Sequence, residues 1–246
     1  MSFQELCELA AQTSPASVSD VMAKLGHHHQ HEMIGTKAQT PTRTLFAEAV
    51  TLRSLPMRAD LAEDAVEASG GDPITMAFDK AVEATTEGKV MVVDVSGWTG
   101  ATIGGGTKYS RLADTGGAGL VTDGLIRDSD ELVNYGYTVY CAGFSPRSGT
   151  RNFLYPHDFN VPVTCGGALV RPGDYLIGDA DGIVVLPRKW AEKVLKMAAM
   201  KEKLDVFVKE KIKRENIPGG TVYPPTEAVL QEFAAHMGID RSKLPI

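Results

Sequence analysis

The chain has 246 residues, 43% of them hydrophobic and 23% charged, with a formal net charge of −6. That length and balance suit one large domain, or one domain with an appendage, with enough apolar surface for a sizeable core. The acidic charge argues against a nucleic-acid partner, which asks for a basic face, and no apolar run approaches the roughly 20 residues that span a bilayer.

Residues 2–12 are expected to form a short helix and Ser17 to Leu25 a second, with Ser17 as cap, Asp20 in the first turn and Gly26 as the stop. His27, His28, His29 and His31 follow. Four imidazoles this close can bind a transition metal or a substrate, but adjacent residues of a loop or strand point in different directions. A polar loop at a subunit contact is therefore the competing reading. Phe46 to Leu52 reads as a strand, 59–71 as an acidic solvated loop, Ile74 to Thr85 as a helix and 89–95 as a strand. Residues 146–160, rich in Arg, Ser, Gly, Asn and Pro, read as a loop. Strands are expected near 161–170, 175–178 and 182–186, with a turn at Pro172-Gly173. From Arg188 to Arg214, Lys and Glu alternate with apolar residues at helical spacing, which predicts a long amphipathic helix. Ile217 to Gly220 breaks it, Tyr223-Pro224-Pro225 forms a rigid linker, and Thr226 caps a last helix to about Met237. The division expected is a domain over 1–187 and a C-terminal helical extension over 188–246. Cys7, Cys141 and Cys165 lack metal-type spacing and, with no basic stretch near Met1, are read as reduced thiols of a cytoplasmic protein.

Chemistry concentrates between Gly97 and Glu131. A glycine-rich turn follows the apolar run Val90 to Val95, and Arg127-Asp128 closes the next run, Gly119 to Ile126. Apolar runs of this kind read as strands buried on both faces, and α/β folds place their sites at the C-terminal ends of such strands. A backbone loop able to bind an anion and an Arg-Asp pair are thus delivered to one rim. The guanidinium can neutralise a carboxylate or a growing oxyanion, and the aspartate can hold a hard metal ion.

Gly106, twenty intervening residues, Arg127-Asp128, two more residues and Glu131 resemble the pattern of the class II pyruvate aldolases that act on 4-hydroxy-4-methyl-2-oxoglutarate and 4-carboxy-4-hydroxy-2-oxoadipate. These share a fold with the RraA-like regulators of ribonuclease activity. The resemblance runs from Ser17 to Pro187, through Ser-Val-Ser-Asp-Val, Gly-Lys-Val-Met-Val-Val-Asp, Asp-Gly-Leu-Ile-Arg-Asp and Gly-Asp-Ala-Asp-Gly-Ile-Val-Val-Leu-Pro. It implies an α/β fold with a mixed β core layered with helices, the swivelling β/β/α arrangement. It also places a helix near Tyr109 to Thr115 and strands at 119–125 and 137–143.

The same resemblance implies the chemistry. Asp128 is the expected ligand of a divalent metal, Mg²⁺ or Mn²⁺, against the alternative of a strand-end aspartate satisfied by backbone donors. Arg127 is expected on the keto or carboxylate oxygen of a small-molecule 2-oxo acid, against a structural ion pair to Glu131 or Asp130. Gly105, Gly106, Thr107 and Lys108 would present backbone N–H groups to the substrate carboxylate. The enzymes carry an acidic residue and leucines where this chain has Thr107-Lys108; Lys108 adds an anion contact or faces water. Glu131 is expected to orient metal-bound water, and Asp123 and Asp94 to brace strand ends. Asp179 and Asp181 match a family block at a turn. Arg147, Arg151 and His157 form either a cationic lid or a solvated loop. The activity implied is metal-dependent carbon–carbon lysis of a 2-oxo acid, by retro-aldol cleavage to pyruvate with oxaloacetate decarboxylation beside it. The assembly implied is a homotrimer or hexamer with sites between subunits, and the alternative function is a non-catalytic regulator bound to a ribonuclease or helicase. Val92 to Gly100 also looks like the glycine loop of an S-adenosylmethionine methyltransferase, but 110–126 leads straight into the Arg-Asp motif instead of a second ribose-binding strand.

Overall fold

The computed structural model describes residues 1–60, 63–64, 67, 76–132, 134–149 and 153–244. The chain divides into two compact units, His28–Lys189 and, from both termini, Met1–His27 with Trp190–Ile246. The N-terminal helices therefore group with the C-terminal ones.

The larger unit is built on a mixed sheet. Its strands are β1 (Lys37–Ala38), β2 (Leu45–Pro56), β3 (Lys89–Asp94), β4 (Gly119–Thr122), β6 (Thr138–Cys141), β8 (Leu154–Phe159), β11 (Tyr175–Gly178) and β12 (Ile183–Leu186), in the order β1-β6-β4-β3-β2-β11-β12. Strands β2, β3, β4 and β6 run parallel to their neighbours. On its other edge β2 pairs antiparallel with β11 from Leu45 to Glu48 and with β8 from Leu52 to Pro56, the second pairing carrying a register shift between Arg53 and Ser54. β5 (Leu125–Ile126) and β7 (Gly143–Phe144) form a short parallel pair, and β9 (Val163–Cys165) and β10 (Ala168–Val170) a hairpin.

Side chains alternate across a strand, so one apolar run supplies both faces of a covered sheet. In β3, Met91 and Val93 pack into the same cluster as Phe78 and Val82 of α3 (Met76–Ala84) and Tyr109 and Leu112 of α4 (Gly106–Asp114). Val90 and Val92 of the same strand join Val163, Cys165, Ala168 and Val170 of the hairpin. Helices, sheet and hairpin make the three layers of the expected β/β/α fold.

The smaller unit contains α1 (Phe3–Ala10), α2 (Pro15–Lys24), α6 (Ala191–Glu215) and α7 (Glu227–Met237). Phe207 and Phe233 meet with ring centroids 5.5 Å apart in its core. Helix α6 stops at Asn216 in the left-handed conformation, and Thr226 caps α7 by accepting the Val229 N–H. Both ends lie where the sequence pattern placed them.

Several boundaries differ from the sequence expectation. Helix α2 begins at Pro15, because the Ser14 hydroxyl accepts the Ser17 N–H at 3.2 Å and proline suits a first helical position; Ser17 is inside the helix. The expected loop 146–160 ends in strand β8. Pro156 hides it, since a proline reads as a strand breaker yet is tolerated where its missing N–H is not needed. The strand expected over 119–125 is interrupted at Asp123-Gly124, and that over 137–143 at Ala142. Helix α4 starts at Gly106, earlier than Tyr109. The expected loop 59–71 lies largely outside the described residues, as does Ile74.

Leu52 of β2 is fully buried in the cluster that holds Phe78 and Val82 of α3, paired with Val93 of β3 on one edge and Phe159 of β8 on the other. Leu52→Ala is expected to cost roughly 2–5 kcal/mol, read as a lower midpoint in urea denaturation with an unchanged slope.

Candidate active site

β5 and β7 run parallel with Ile126 opposite Phe144, so their C-terminal ends open on one rim. One carries Arg127-Asp128 and the other Ser145-Pro146. Ile126 is buried and anchors the pair, and its carbonyl accepts the Ser145 N–H at 3.0 Å. The glycine-rich loop is tied to the same rim. Thr102 N–H donates to Arg147 O and Ile103 N–H to Leu125 O, both at 3.0 Å, which brings Gly104 to Gly106 against the Arg-Asp pair.

The approach is close enough to require glycine. A Cβ on Gly105 would lie 2.5 Å from Arg127 Nε and 2.7 Å from Asp128 Oδ2. A Cβ on Gly106 would overlap Glu131 Oε2. Asp128 itself adopts a left-handed conformation, φ +61°, which costs an L-residue on the order of 1 kcal/mol and recurs at functional sites. The turn points its carboxylate back at the start of α4, where Oδ2 accepts the Gly106 N–H at 2.5 Å. A negative charge there is stabilised by the helix dipole. Asp128 therefore caps α4 from 22 residues away.

Arg127 is held less completely. Its Nε lies 3.5 Å from Asp128 Oδ2, and that N–H is buried without a hydrogen-bond partner. A buried donor left unsatisfied costs free energy that an incoming acceptor returns. The structural ion pair to Glu131 or Asp130, the alternative for Arg127, is not what forms. Glu131, on α5 (Ser129–Leu132), instead accepts the Tyr135 hydroxyl on Oε2 at 2.7 Å. Burial, the hydrogen bond to Glu131 and the nearby carboxylate charges push the Tyr135 phenol up to about 12. Arg127 to Glu131 and Phe144 to Pro146 together line a cavity of about 570 Å³.

The remaining expected residues fall as follows. Of the first-turn N–H groups of α4, Gly106 donates to Asp128, and Lys108 and Tyr109 donate to Gly105 O. That leaves the exposed Thr107 as the turn's contribution to an anion. The Lys108 ammonium lies 3.2 Å from Asp79 and over the Phe78 ring, engaged by α3. Asp123 is buried, which raises its carboxyl above the usual range, and it accepts the Val95 and Gly97 N–H groups at 3.0 and 2.8 Å. Asp94 accepts the Ser96 and Thr164 N–H groups. Both brace the turn that launches the glycine loop.

Arg147 stacks on Phe153 at 4.1 Å, His157 lies in β8 beside Asp158, and Arg151 is outside the described residues. Asp179 and Asp181 close the β11–β12 turn, with the Asp181 N–H on Asp179 Oδ1. His27 stacks on Trp190, while His31 is buried with Nδ1 2.7 Å from His29 O. Among the described residues, no group of three or more His, Cys, Asp or Glu side chains converges on a metal position. A hard cation held by one or two carboxylates and water needs no such group. Asp128, with one oxygen on Gly106, and Glu131, with one on Tyr135, supply that donor set beside the cavity. Tyr135, Phe144, Ser145 and Pro146 were not foreseen. Tyr135 had a signal, since it follows Glu131 by four residues, the spacing at which helical side chains meet.

A mixed sheet layered by helices and a hairpin, with an Arg-Asp pair beside a cavity at the rim of parallel strands, defines an α/β protein. The family profile described as RraA-like: Aldolase/RraA matches residues 15–185, and the chain belongs to that family. A protein of Halalkalibacterium halodurans, provisionally named 4-hydroxy-4-methyl-2-oxoglutarate aldolase, is 34% identical over 137 residues, 56% of this chain and 63% of its own. A protein of Ectopseudomonas mendocina with the same provisional name is 36% identical over 107 residues, 44% of this chain and 65% of its own. The chain thus spans a little under two thirds of the length of these relatives. Among solved structures, Streptomyces coelicolor RraAS2, described as an unusual member of the RNase ES inhibitor RraA family, is similar at a TM-score of 0.73. It shares 28% identity over 83% of this chain and 96% of that one. No helix among the described residues is long and apolar enough to cross a membrane.

Because folding holds the Tyr135 phenol above its ordinary value of 10.0, the neutral hydroxyl supports the folded state fully below pH 10, and that contribution is lost as pH rises through about 12. Difference absorbance titration of the native protein against Tyr135→Phe is expected to place its phenolate transition near 12. A midpoint at the ordinary value would mean that the Glu131 contact is not made. Gly106→Ala is expected to displace the Glu131 carboxylate, read as a lowered phenol transition for Tyr135.

Proposed function

We propose that the chain is a divalent-metal-dependent carbon–carbon lyase acting on a 2-oxo acid. The observation that carries this reading is Arg127, with a buried and unpartnered Nε–H, next to the left-handed Asp128, two residues that both line the cavity. The provisional names of the relatives from H. halodurans and E. mendocina support it. Asp128, with Glu131 behind it, would hold Mg²⁺ or Mn²⁺, which when bound supplies Lewis-acid polarisation of the 2-oxo group.

The chain's own residues do the rest. Arg127 binds the substrate carboxylate and balances the negative charge that grows on the 2-oxo oxygen as the C3–C4 bond breaks. Its electron pair moves into the three-carbon fragment, which is released as pyruvate after protonation. Gly105, without a Cβ, lets the Arg127 and Asp128 side chains close on the start of α4, and Thr107 N–H adds a donor. Glu131 keeps one oxygen clear of Tyr135 to take the 4-hydroxyl proton through water. Loss of CO₂ from oxaloacetate uses the same site. The assembly proposed is a homotrimer or a pair of trimers.

A second reading, a regulator that binds a ribonuclease or helicase, is favoured by the likeness to the Streptomyces structure. The two separate on turnover. Pyruvate release from 4-hydroxy-2-oxo acids and from oxaloacetate is expected with Mg²⁺ or Mn²⁺ and to vanish with chelator. Arg127→Ala is expected to lower kcat/KM by a factor on the order of 10²–10³. Asp128→Ala is expected to abolish Mn²⁺ binding in calorimetry. Absence of metal-dependent turnover on every 2-oxo acid tried would leave the regulator.

A further inference from the structure

Asp128 and Glu131 meet at the start of α4. A Cβ on Gly106 would overlap Glu131 Oε2 and lie 3.4 Å from Asp128 Oδ2, so both carboxylates converge on one unsubstituted carbon. Both also line the cavity. Carboxylate oxygens are the preferred donors of a hard divalent ion, and two carboxylates this close would chelate it together unless one is held back. The lyase reading asks a different service of each, a ligand from Asp128 and a base from Glu131. A carboxylate bound directly to a cation is a weaker base, because the opposite charge favours its ionised form.

Tyr135 is what holds one back. Its hydroxyl donates to Glu131 Oε2 at 2.7 Å, and Gly106 O lies 3.3 Å away as a second acceptor. The ring is not free to follow the carboxylate. It stacks on Tyr137, with centroids 5.8 Å apart and planes 25° from parallel. Tyr137 is buried, and its own hydroxyl donates to Tyr109 O of α4 at 3.2 Å. The phenol is thus pinned to the same helix against which Glu131 lies, and the carboxylate conforms to it. Glu131 cannot offer both oxygens to an ion at Asp128 without breaking that bond.

From this geometry we infer that Tyr135 is a positioning residue that keeps Glu131 out of direct coordination, so that Asp128 takes the divalent ion and Glu131 takes the proton. The inference rests on the lyase reading and divides between two side chains the work which that reading gives to the pair. As the C3–C4 bond breaks, the 4-hydroxyl proton passes through water to Glu131 and C4 becomes a carbonyl carbon. The C3–C4 electron pair stays with the three-carbon fragment until C3 is protonated. Tyr135 acts in this only through the oxygen of Glu131 that it holds.

Calorimetry with Mn²⁺ on the full chain tests the division without substrate. Tyr135→Phe is expected to bind Mn²⁺ more tightly, by a factor on the order of three or more, because the freed carboxylate adds to the ligand charge. Glu131→Gln is expected to keep the affinity within about twofold of native, and Tyr135→Phe placed on top of Glu131→Gln to bring no further gain. In pyruvate release, Tyr135→Phe is expected to lower kcat by a factor on the order of 10–10² with KM little changed. A tyrosine that merely supported the fold would lower affinity and rate together. Unchanged or weaker Mn²⁺ binding by Tyr135→Phe, or a large loss of affinity in Glu131→Gln, overturns the inference, while metal-dependent turnover by the native chain leaves the lyase reading standing. No Mn²⁺ binding by the native chain, or no pyruvate from any 2-oxo acid, removes both proposals.

Discussion

The hydrogen bond from Gly106 N–H to Asp128 Oδ2 holds the site together. It joins the first turn of α4 to the end of β5, two places 22 residues apart in the chain. It forms only because Asp128 accepts a left-handed backbone and because Gly105 and Gly106 have no Cβ to fend off the Arg127 and Glu131 side chains. One carboxylate oxygen is committed to the start of α4, which fixes the group in direction. The other oxygen is left for the cavity.

Around that bond the surrounding elements act as supports. Asp123 and Asp94 hold the turn after β3, so the glycine loop leaves the sheet in one direction. Thr102 and Ile103 then fasten the loop to the Arg147 and Leu125 carbonyls. Tyr135 holds Glu131 over the same helix start, its hydroxyl also 3.3 Å from Gly106 O. Arg127 is the exception, with a buried Nε–H that nothing in the described chain accepts.

The parallel pair β5–β7 decides what else lines the cavity. Because the two strands end together, Arg127 to Glu131 after Ile126 and Phe144 to Pro146 line one space.

Much of the fold was legible in the chain itself. Residues 90–93 are apolar on both faces, which marks a strand covered on both sides, and the alternation in 191–215 marks a helix with one buried stripe. The Arg127-Asp128 pair after an apolar run, and the glycines before a helix, marked by local chemistry a rim at which the fold opens a cavity. What local pattern could not contain was pairing between distant segments. Pro156 disguised β8, which pairs with β2 across a register shift that leaves His157 without a partner on β2. Lys108, read as either an anion contact or a water-facing side chain, is paired with Asp79, which α3 brings to it. Tyr135 and Phe144 joined the site only through the tertiary register, since a strand's neighbour and the reach of a helix start are set by packing across the sheet and not by the residues next in line.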